Sequence, residues 1–436
     1  MARPRTRIPL NIYLNGRLVG QLRRETTGAI DFRYDAIWLA WDKAIPVSLS
    51  LPLSEQRYIG APVVAVFENL LPDNKDIRRR VAERSQAEGT DSYSLLSAIG
   101  RDCVGALQFI ADGDELTPSD TVQARRMSDA KIAQLLKNLE RNPLGMDEED
   151  DFRISLAGAQ EKTALLYWKK RWHIPLGTTA TTHILKPQIG KLQNGLELFD
   201  SVENEYLCLK LVGAFGVPVA NAEIADFEDQ RALVIERFDR IWTKDKRLLR
   251  VPQEDCCQAL STPPDRKYEK DGGPGMIAIA TLLKGSDAPQ RDLRMFLKTQ
   301  VLFWLLNATD GHAKNFSIRL APEGRFVLTP VYDVLSVQPN VDAGRLRHNQ
   351  VKLAMAVGTN RHYRIDQIAP RHFLQTAKQC GISERAAADV LDEVRDTAPS
   401  AMDRTLADLP RLFPKELAKS IVEGMKQRLR LFERSR

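Results

Sequence analysis

The sequence predicts an α+β protein: a β-rich N-terminal domain, then a strand-rich part, then an all-helical C-terminal part. Three observations predict it. Strand-like runs fill residues 8 to 53 and return after residue 160 as TALLYW, THILKP and ALVIERFD. From about residue 275 the apolar residues fall at helical spacing. A polar, acidic stretch separates the N-terminal part from the second set of strands.

The elements are taken in chain order. IYLNGRLVGQL holds two short apolar runs around Asn15-Gly16, a dipeptide suited to a tight hairpin because both residues tolerate positive φ. AIWLAW and AIPVSLSLPL continue the strand pattern. VVAVFENLLPDNKDIRRRVAERS reads as helix, and ADGDELTPSDT, residues 111 to 121, as a loop. In ERNPLGMDEEDDF, Pro143 and Gly145 precede five consecutive acids, Asp147 to Asp151, whose repulsion favours exposure. A domain boundary is placed there, giving domains 1–145 and 146–436. The second divides into a strand-rich part of about 150–240 and a helical part of about 250–436. In the helical part Leu293, Phe296, Leu297, Val301, Trp304 and Leu305 mark one buried face. Leu417, Ile421, Met425 and Leu429 mark another, with Pro414 near its start.

Length and composition agree. A chain of 436 residues exceeds one ordinary core, so two or three domains are expected. With 43% hydrophobic and 28% charged residues it reads as a soluble globular protein. The net charge of +6 and a pI near 9.0 permit an anionic partner without requiring one. Basic clusters at Arg3, Arg5, Arg7 and near Lys426 to Arg436 suit phosphate contact or a solvated surface. The five cysteines form no C-x-x-C pair, which points to reduced, buried thiols, and the histidines show no zinc spacing. The basic N-terminus lacks a signal peptide's apolar core, and no apolar run nears the roughly 20 residues of a membrane span. A cytoplasmic protein without a membrane partner is expected.

The chemistry-bearing residues begin with TDGHAKN. Asp310 and Asn315 stand in an Asp-x-x-x-x-Asn spacing after an apolar helical run. A phosphotransferase needs a carboxylate to orient an attacking hydroxyl, and an oxygen ligand nearby for Mg²⁺ on ATP. A second metal carboxylate, Asp333, follows the strand-like run Phe326 to Tyr332. Upstream, ISLAGAQEKTALLYW contains the small residues Ala157, Gly158 and Ala159, which let backbone amides approach phosphate. It matches neither standard glycine-rich motif. Lys186 in HILKP lies on an apolar strand, where an ammonium needs a partner such as a phosphate. Glu203 or Glu205, on the helix that SVENEYLCLKL begins, offers it a carboxylate. The stretch from Glu236 through Arg237 to Phe238 resembles the connector that holds an adenine ring by its backbone. Singly, each has a plain structural reading, such as a helix-end Asp satisfying backbone groups. Their serial order is that of a protein-kinase active site.

ISLAGAQEKTALL, THILKP, VENEY, VIERFDR, PQEDCCQAL, DGGPG, TDGHAKNFS and YDVLS together resemble the HipA family of bacterial serine/threonine kinases, toxins of HipA–HipB pairs. The N-terminal FENLLPDN and GRDCVGALQF extend the resemblance over nearly the whole chain. It implies Asp310 as catalytic base, and Asn315 and Asp333 as Mg²⁺ ligands. It implies ATP contacts at Ala157, Gly158, Ala159, Gln160, Glu161, Lys162, Lys186, Glu236, Arg237, Phe238, His312, Tyr332 and Asp333. It also implies autophosphorylation of Ser155, which switches the kinase off by ejecting the loop. The implied partners are a HipB-like helix-turn-helix antitoxin, operator DNA held through that complex, and an aminoacyl-tRNA synthetase substrate, glutamyl-tRNA synthetase being the family's type. Two other readings compete: a catalytically weak kinase-fold corepressor, and a small-molecule phosphotransferase.

Overall fold

The computed structural model describes residues 9–433, apart from 112, 115, 119–120, 147–151 and 192–196. The acidic run Asp147 to Asp151 and the basic Arg3, Arg5 and Arg7 therefore lie outside the described residues. The chain packs into two compact units. One comprises Met1–Pro187, Ala225–Asp265 and Arg319–Arg325. The other comprises Gln188–Ile224, Arg266–Ile318 and Phe326–Arg436.

The first unit opens on the Asn15-Gly16 hairpin. Strands Leu10–Leu14 and Arg17–Arg24 pair antiparallel with Leu14 opposite Arg17, and both turn residues have positive φ (46° and 86°). That geometry matches strand twist, which is why Asn-Gly is chosen there. The hairpin lies in a five-stranded sheet with Ile30–Tyr34, Tyr58–Ile59 and Leu107–Ala111. AIWLAW and AIPVSLSLPL are not strands, contrary to the sequence pattern. Asp35 caps the short helix Ala36–Leu39 by accepting the Ile37 amide, and Trp38 packs edge-on to Trp41. Pro46 and Pro52 lack the N–H a ladder requires, and the stretch around them keeps only an isolated Ser48–Leu51 bridge. The expected long helix is two helices, Ala61–Glu68 and Lys75–Ser85. Between them runs a corner at Leu70 to Asn74, where Asn74 accepts the Asp76 and Ile77 amides as the second N-cap.

The second sheet of this unit is the predicted strand-rich part. Its spatial order is Ala222–Phe227, Gln230–Glu236, His183–Pro187, Thr163–Trp168, Arg171–Pro175 and Ala124–Arg126. Buried Leu165, Leu185, Ala232 and Val234 join the core that also holds Ile12, Phe32, Phe67 and Phe109. The N-terminal sheet and the strand-rich part thus share one hydrophobic core.

The second unit is mainly helical. Ser201–Ala214, Met276–Leu283, Pro289–Leu306, Pro370–Gln379, Glu384–Ala407 and Lys415–Glu433 are its principal helices. Short strands such as Phe326–Leu328 and the Lys352–Val357/His362–Arg364 pair interrupt them. Phe296, Leu297, Val301, Trp304 and Leu305 are buried as their spacing predicts, and so are Leu417, Ile421 and Met425, whereas Leu293 and Leu429 of the same stripes are half-buried. All five cysteines are buried and none is in a disulfide. Among the described residues no helix is long and apolar enough to cross a membrane.

Candidate active site

The first unit contains the residues from Ala157 to Lys162, Lys186 and Glu236 to Phe238 that were expected to contact a nucleotide. The loop Ala157 to Lys162 enters the Thr163–Trp168 strand. The Lys162 ammonium, itself buried, donates to the Ala157 carbonyl at 2.7 Å and closes the loop on itself. Gly158 has φ of 108°, a region L side chains rarely adopt, and a Cβ there would fall 2.5 Å from Lys162 Nζ. The corner at Leu70 to Asn74 holds the loop from one side. Pro72 bridges Gly158, and the Asp73 amide donates to the Gly158 carbonyl at 2.9 Å. Arg80 pairs with Glu161, Gln160 Nε2 donates to the Pro187 carbonyl at 3.1 Å, and Ala159 is exposed.

Ser155 lies just before this loop and is wholly buried. Its amide donates to the Asp102 carbonyl at 3.0 Å, and its hydroxyl donates to the Leu70 carbonyl at 2.8 Å. Lys186 is buried on the His183–Pro187 strand, opposite Leu233 of Gln230–Glu236.

The connector after Glu236 is anchored by charge. The Arg237 amide donates to the Thr182 carbonyl at 2.9 Å, and its guanidinium turns inward to Asp239 at 2.7 Å and Thr181 Oγ1 at 2.9 Å. Asp102, from the GRDCVGALQF stretch, accepts from Arg240 and Arg250, each at 2.9 Å, and from Thr181 Oγ1 at 2.8 Å. Burial alone would raise the Asp102 carboxyl. The guanidiniums of Arg240, Arg250 and Arg237 outweigh it and hold Asp102 well below the usual carboxylate range. Arg240 is itself pushed down to about 10, first by burial and then by its neighbour Arg237.

The second unit contains Asp310, His312, Asn315, Tyr332 and Asp333. Helix Pro289–Leu306 ends at Asn307, whose φ of 60° turns the chain out of the helix. Gly311 succeeds Asp310 because a Cβ there would strike the Phe303 ring at 2.3 Å. Asn315 Nδ2 donates to the Asp310 carbonyl at 2.7 Å, so the two ends of Asp-x-x-x-x-Asn are tied together. The Asp310 side chain remains 54% exposed. The buried His312 lies with Nε2 3.8 Å from Asp310 Oδ1 and its amide on the Asp310 carbonyl at 2.8 Å. The Tyr332 hydroxyl joins Ser317 Oγ at 2.6 Å and the Lys314 carbonyl at 3.0 Å, tying the loop to the segment bearing Asp333. Asp333 itself has φ of 59°, a strained setting for a non-glycine residue that recurs at functional sites. Upstream, Glu203 accepts Gln188 Nε2 at 2.7 Å, and Glu205 is also buried on the same helix.

The donor set fits a hard divalent cation. Asn315's hydrogen bond uses its amide nitrogen and leaves Oδ1, an oxygen, and Asp333 supplies a carboxylate. Mg²⁺ takes few protein ligands and completes its shell with water and phosphate oxygens.

Sequence reasoning missed two groups. Tyr268 donates its hydroxyl to Asp310 Oδ1 and sets its ring edge-on to His312, centroids 4.9 Å apart. The PQEDCCQAL stretch joins the segments of the first unit. Glu254 Oε1 accepts the Leu49 amide at 2.8 Å, and Gln258 Nε2 donates to the Val66 carbonyl at 2.9 Å. PQEDCCQAL and DGGPG already stood out in the sequence, but no local spacing tells which distant residue they meet.

A strand lysine, a connector after the adjacent strand, an Asp-x-x-x-x-Asn loop and a later Asp define a protein-kinase-like fold. Two family models match the chain: the HipA N-terminal domain over residues 10–110 and the HipA-like C-terminal domain over residues 154–402. The chain belongs to the HipA family. It is 30% identical over 408 residues, 93% of each chain, to Y4mE of Sinorhizobium fredii, which carries a provisional kinase name. It is 28% identical over 370 residues to the serine/threonine-protein kinase toxin HipA of Shewanella oneidensis, covering 80% of this chain and 78% of that one. It also resembles the Shewanella oneidensis HipA–HipB–operator DNA complex at a TM-score of 0.79 and 26% identity, covering 98% and 97% of the chains. Relatives named as kinases at these identities support kinase activity.

Proposed function

We propose that this protein is an ATP- and Mg²⁺-dependent serine/threonine-protein kinase, the toxin of a type II toxin–antitoxin pair. The observation that carries the reading is the loop in which Asn315 ties to Asp310 while the Asp310 carboxylate stays half exposed. Asp310 would accept the proton of the acceptor serine hydroxyl as that oxygen attacks the γ-phosphoryl. Asn315 and Asp333 would hold Mg²⁺, which when bound neutralises phosphate charge. The Ala157 to Lys162 loop and Lys186 would bind the phosphates, and the stretch from Glu236 through Arg237 to Phe238 would orient the adenine. His312 and Tyr332 would flank the nucleotide through the loop they brace.

Ser155 would be the self-modified residue. Its buried hydroxyl, donated to Leu70, leaves no place for a dianion. Phosphorylation therefore requires the segment to leave its present position. The loop it precedes would leave with it, and ATP affinity would be lost. The substrate would be an aminoacyl-tRNA synthetase, with glutamyl-tRNA synthetase the type to try first. Control would come from a HipB-like helix-turn-helix antitoxin that carries the pair onto operator DNA in the cytoplasm. The relative's complex with HipB and operator DNA supports that partnership.

The test uses the Ser155→Ala chain, which cannot switch itself off, with Mg-ATP and purified glutamyl-tRNA synthetase. Phosphate on a synthetase serine is expected. Phosphate found only on a metabolite would replace this reading with a small-molecule phosphotransferase. ATP binding without any transfer would replace it with a corepressor.

A further inference from the structure

We infer that Tyr268 is a positioning residue for the base Asp310. The inference rests on the proposed kinase reading and adds a residue to it. A general base must present one carboxylate oxygen to the acceptor hydroxyl, and a freely rotating Asp does so only part of the time. Asp310 is half exposed, so packing does not fix its rotamer. The Tyr268 hydroxyl, donated to Oδ1, does. With Oδ1 engaged in this way, Oδ2 would be the oxygen that meets the acceptor.

Tyr268, half-buried, is itself held by several neighbours. Its ring meets the buried His312 edge-on at 83°. The ammonium groups of Lys267 and Lys270 lie 5.7 and 5.6 Å from its ring centre. Its carbonyl accepts the amides of Asp271 and Gly273, both at 3.0 Å, folding the DGGPG stretch back beneath it. A Cβ on Gly273 would sit 1.9 Å from the Arg266 carbonyl oxygen, and one on Gly275 would enter the Glu269 carboxylate. Glu269 is in turn fixed by the Ala356 amide at 2.6 Å and by Arg361 at 3.1 Å. A tyrosine braced this firmly is a fixed strut and not a swinging lid. DGGPG thus gains a role: its glycines permit the tight fold that aims Tyr268 at Asp310.

The test is Tyr268→Phe, which keeps the ring and its neighbours and removes only the hydroxyl. The expected result is a 10- to 100-fold fall in kcat, with the ATP dissociation constant unchanged and thermal stability near that of the parent. In an Asp310→Asn background the same change should cost nothing further in residual transfer, because the group being positioned is gone. A purely structural tyrosine would lower both backgrounds alike. Unchanged kcat in Tyr268→Phe, or an equal loss in both backgrounds, overturns the inference alone. A parent chain that binds Mg-ATP and transfers nothing overturns the kinase reading and the inference with it.

Discussion

Gly158 is the residue on which the Ala157 to Lys162 loop turns. It adopts a backbone conformation that costs other residues about 1–3 kcal/mol, and its missing Cβ makes room for the Lys162 ammonium. Gly158→Ala should therefore weaken ATP binding about tenfold or more, which calorimetry would read. Asp333→Ala should remove the Mg²⁺-dependent part of ATP binding and leave the metal-independent part. The same titration with and without metal decides this. The sequence made these residues legible because each sits within a few positions of its own signal: Lys186 on an apolar strand, Asn315 five residues beyond Asp310. Tyr268 was not legible. It meets Asp310 across 42 residues of chain, and no local spacing encodes that meeting.

Among the elements, the joins inside the first unit carry the clearest energetics. Asp102 meets Arg237, Arg240 and Arg250 in a buried network, and removing its charge leaves guanidiniums without compensation. Asp102→Asn should cost about 3–5 kcal/mol of stability, seen in denaturant unfolding. Glu254 makes a second join. Burial, its largest influence, raises its carboxyl to about 8 from an ordinary 4.5, against the Leu49 amide and Ser48 hydroxyl, which lower it. The folded chain then holds a proton that the unfolded chain has lost. The group's stabilising contribution is complete below pH 4.5 and falls by about 1.4 kcal/mol per pH unit up to about pH 8. Glu254→Gln should flatten the decline of melting temperature between pH 5 and 8 and raise it at pH 8. A decline identical to the parent's would count against the buried, protonated Glu254. The runs IYLNGRLVGQL, TALLYW, THILKP and ALVIERFD do contain strands. The misreading of residues 36 to 53 as strands has a local cause. Asp35 supplies a helix cap and two prolines remove ladder donors, and tertiary burial, not period, made those residues apolar.

Across the whole molecule, the division at residue 145 and the packing describe different things. The family models match residues 10–110 and 154–402. The contacts group the N-terminal sheet with the strand-rich part, because Phe67 and Phe109 share a core with Leu165 and Val234. That shared core puts the Leu70 to Asn74 corner, a feature of the N-terminal region, directly on the Ala157 to Lys162 loop and on Ser155. Composition could not reveal this, since it arises from how two sheets pack and not from either alone. The most direct test of the central claim is the mass of the purified, dephosphorylated chain after incubation with Mg-ATP, beside the Asp310→Gln variant. One added phosphate on the peptide containing Ser155, absent from the variant, is the expected result. An unmodified parent chain that binds ATP, or an equally phosphorylated Asp310→Gln, would contradict it.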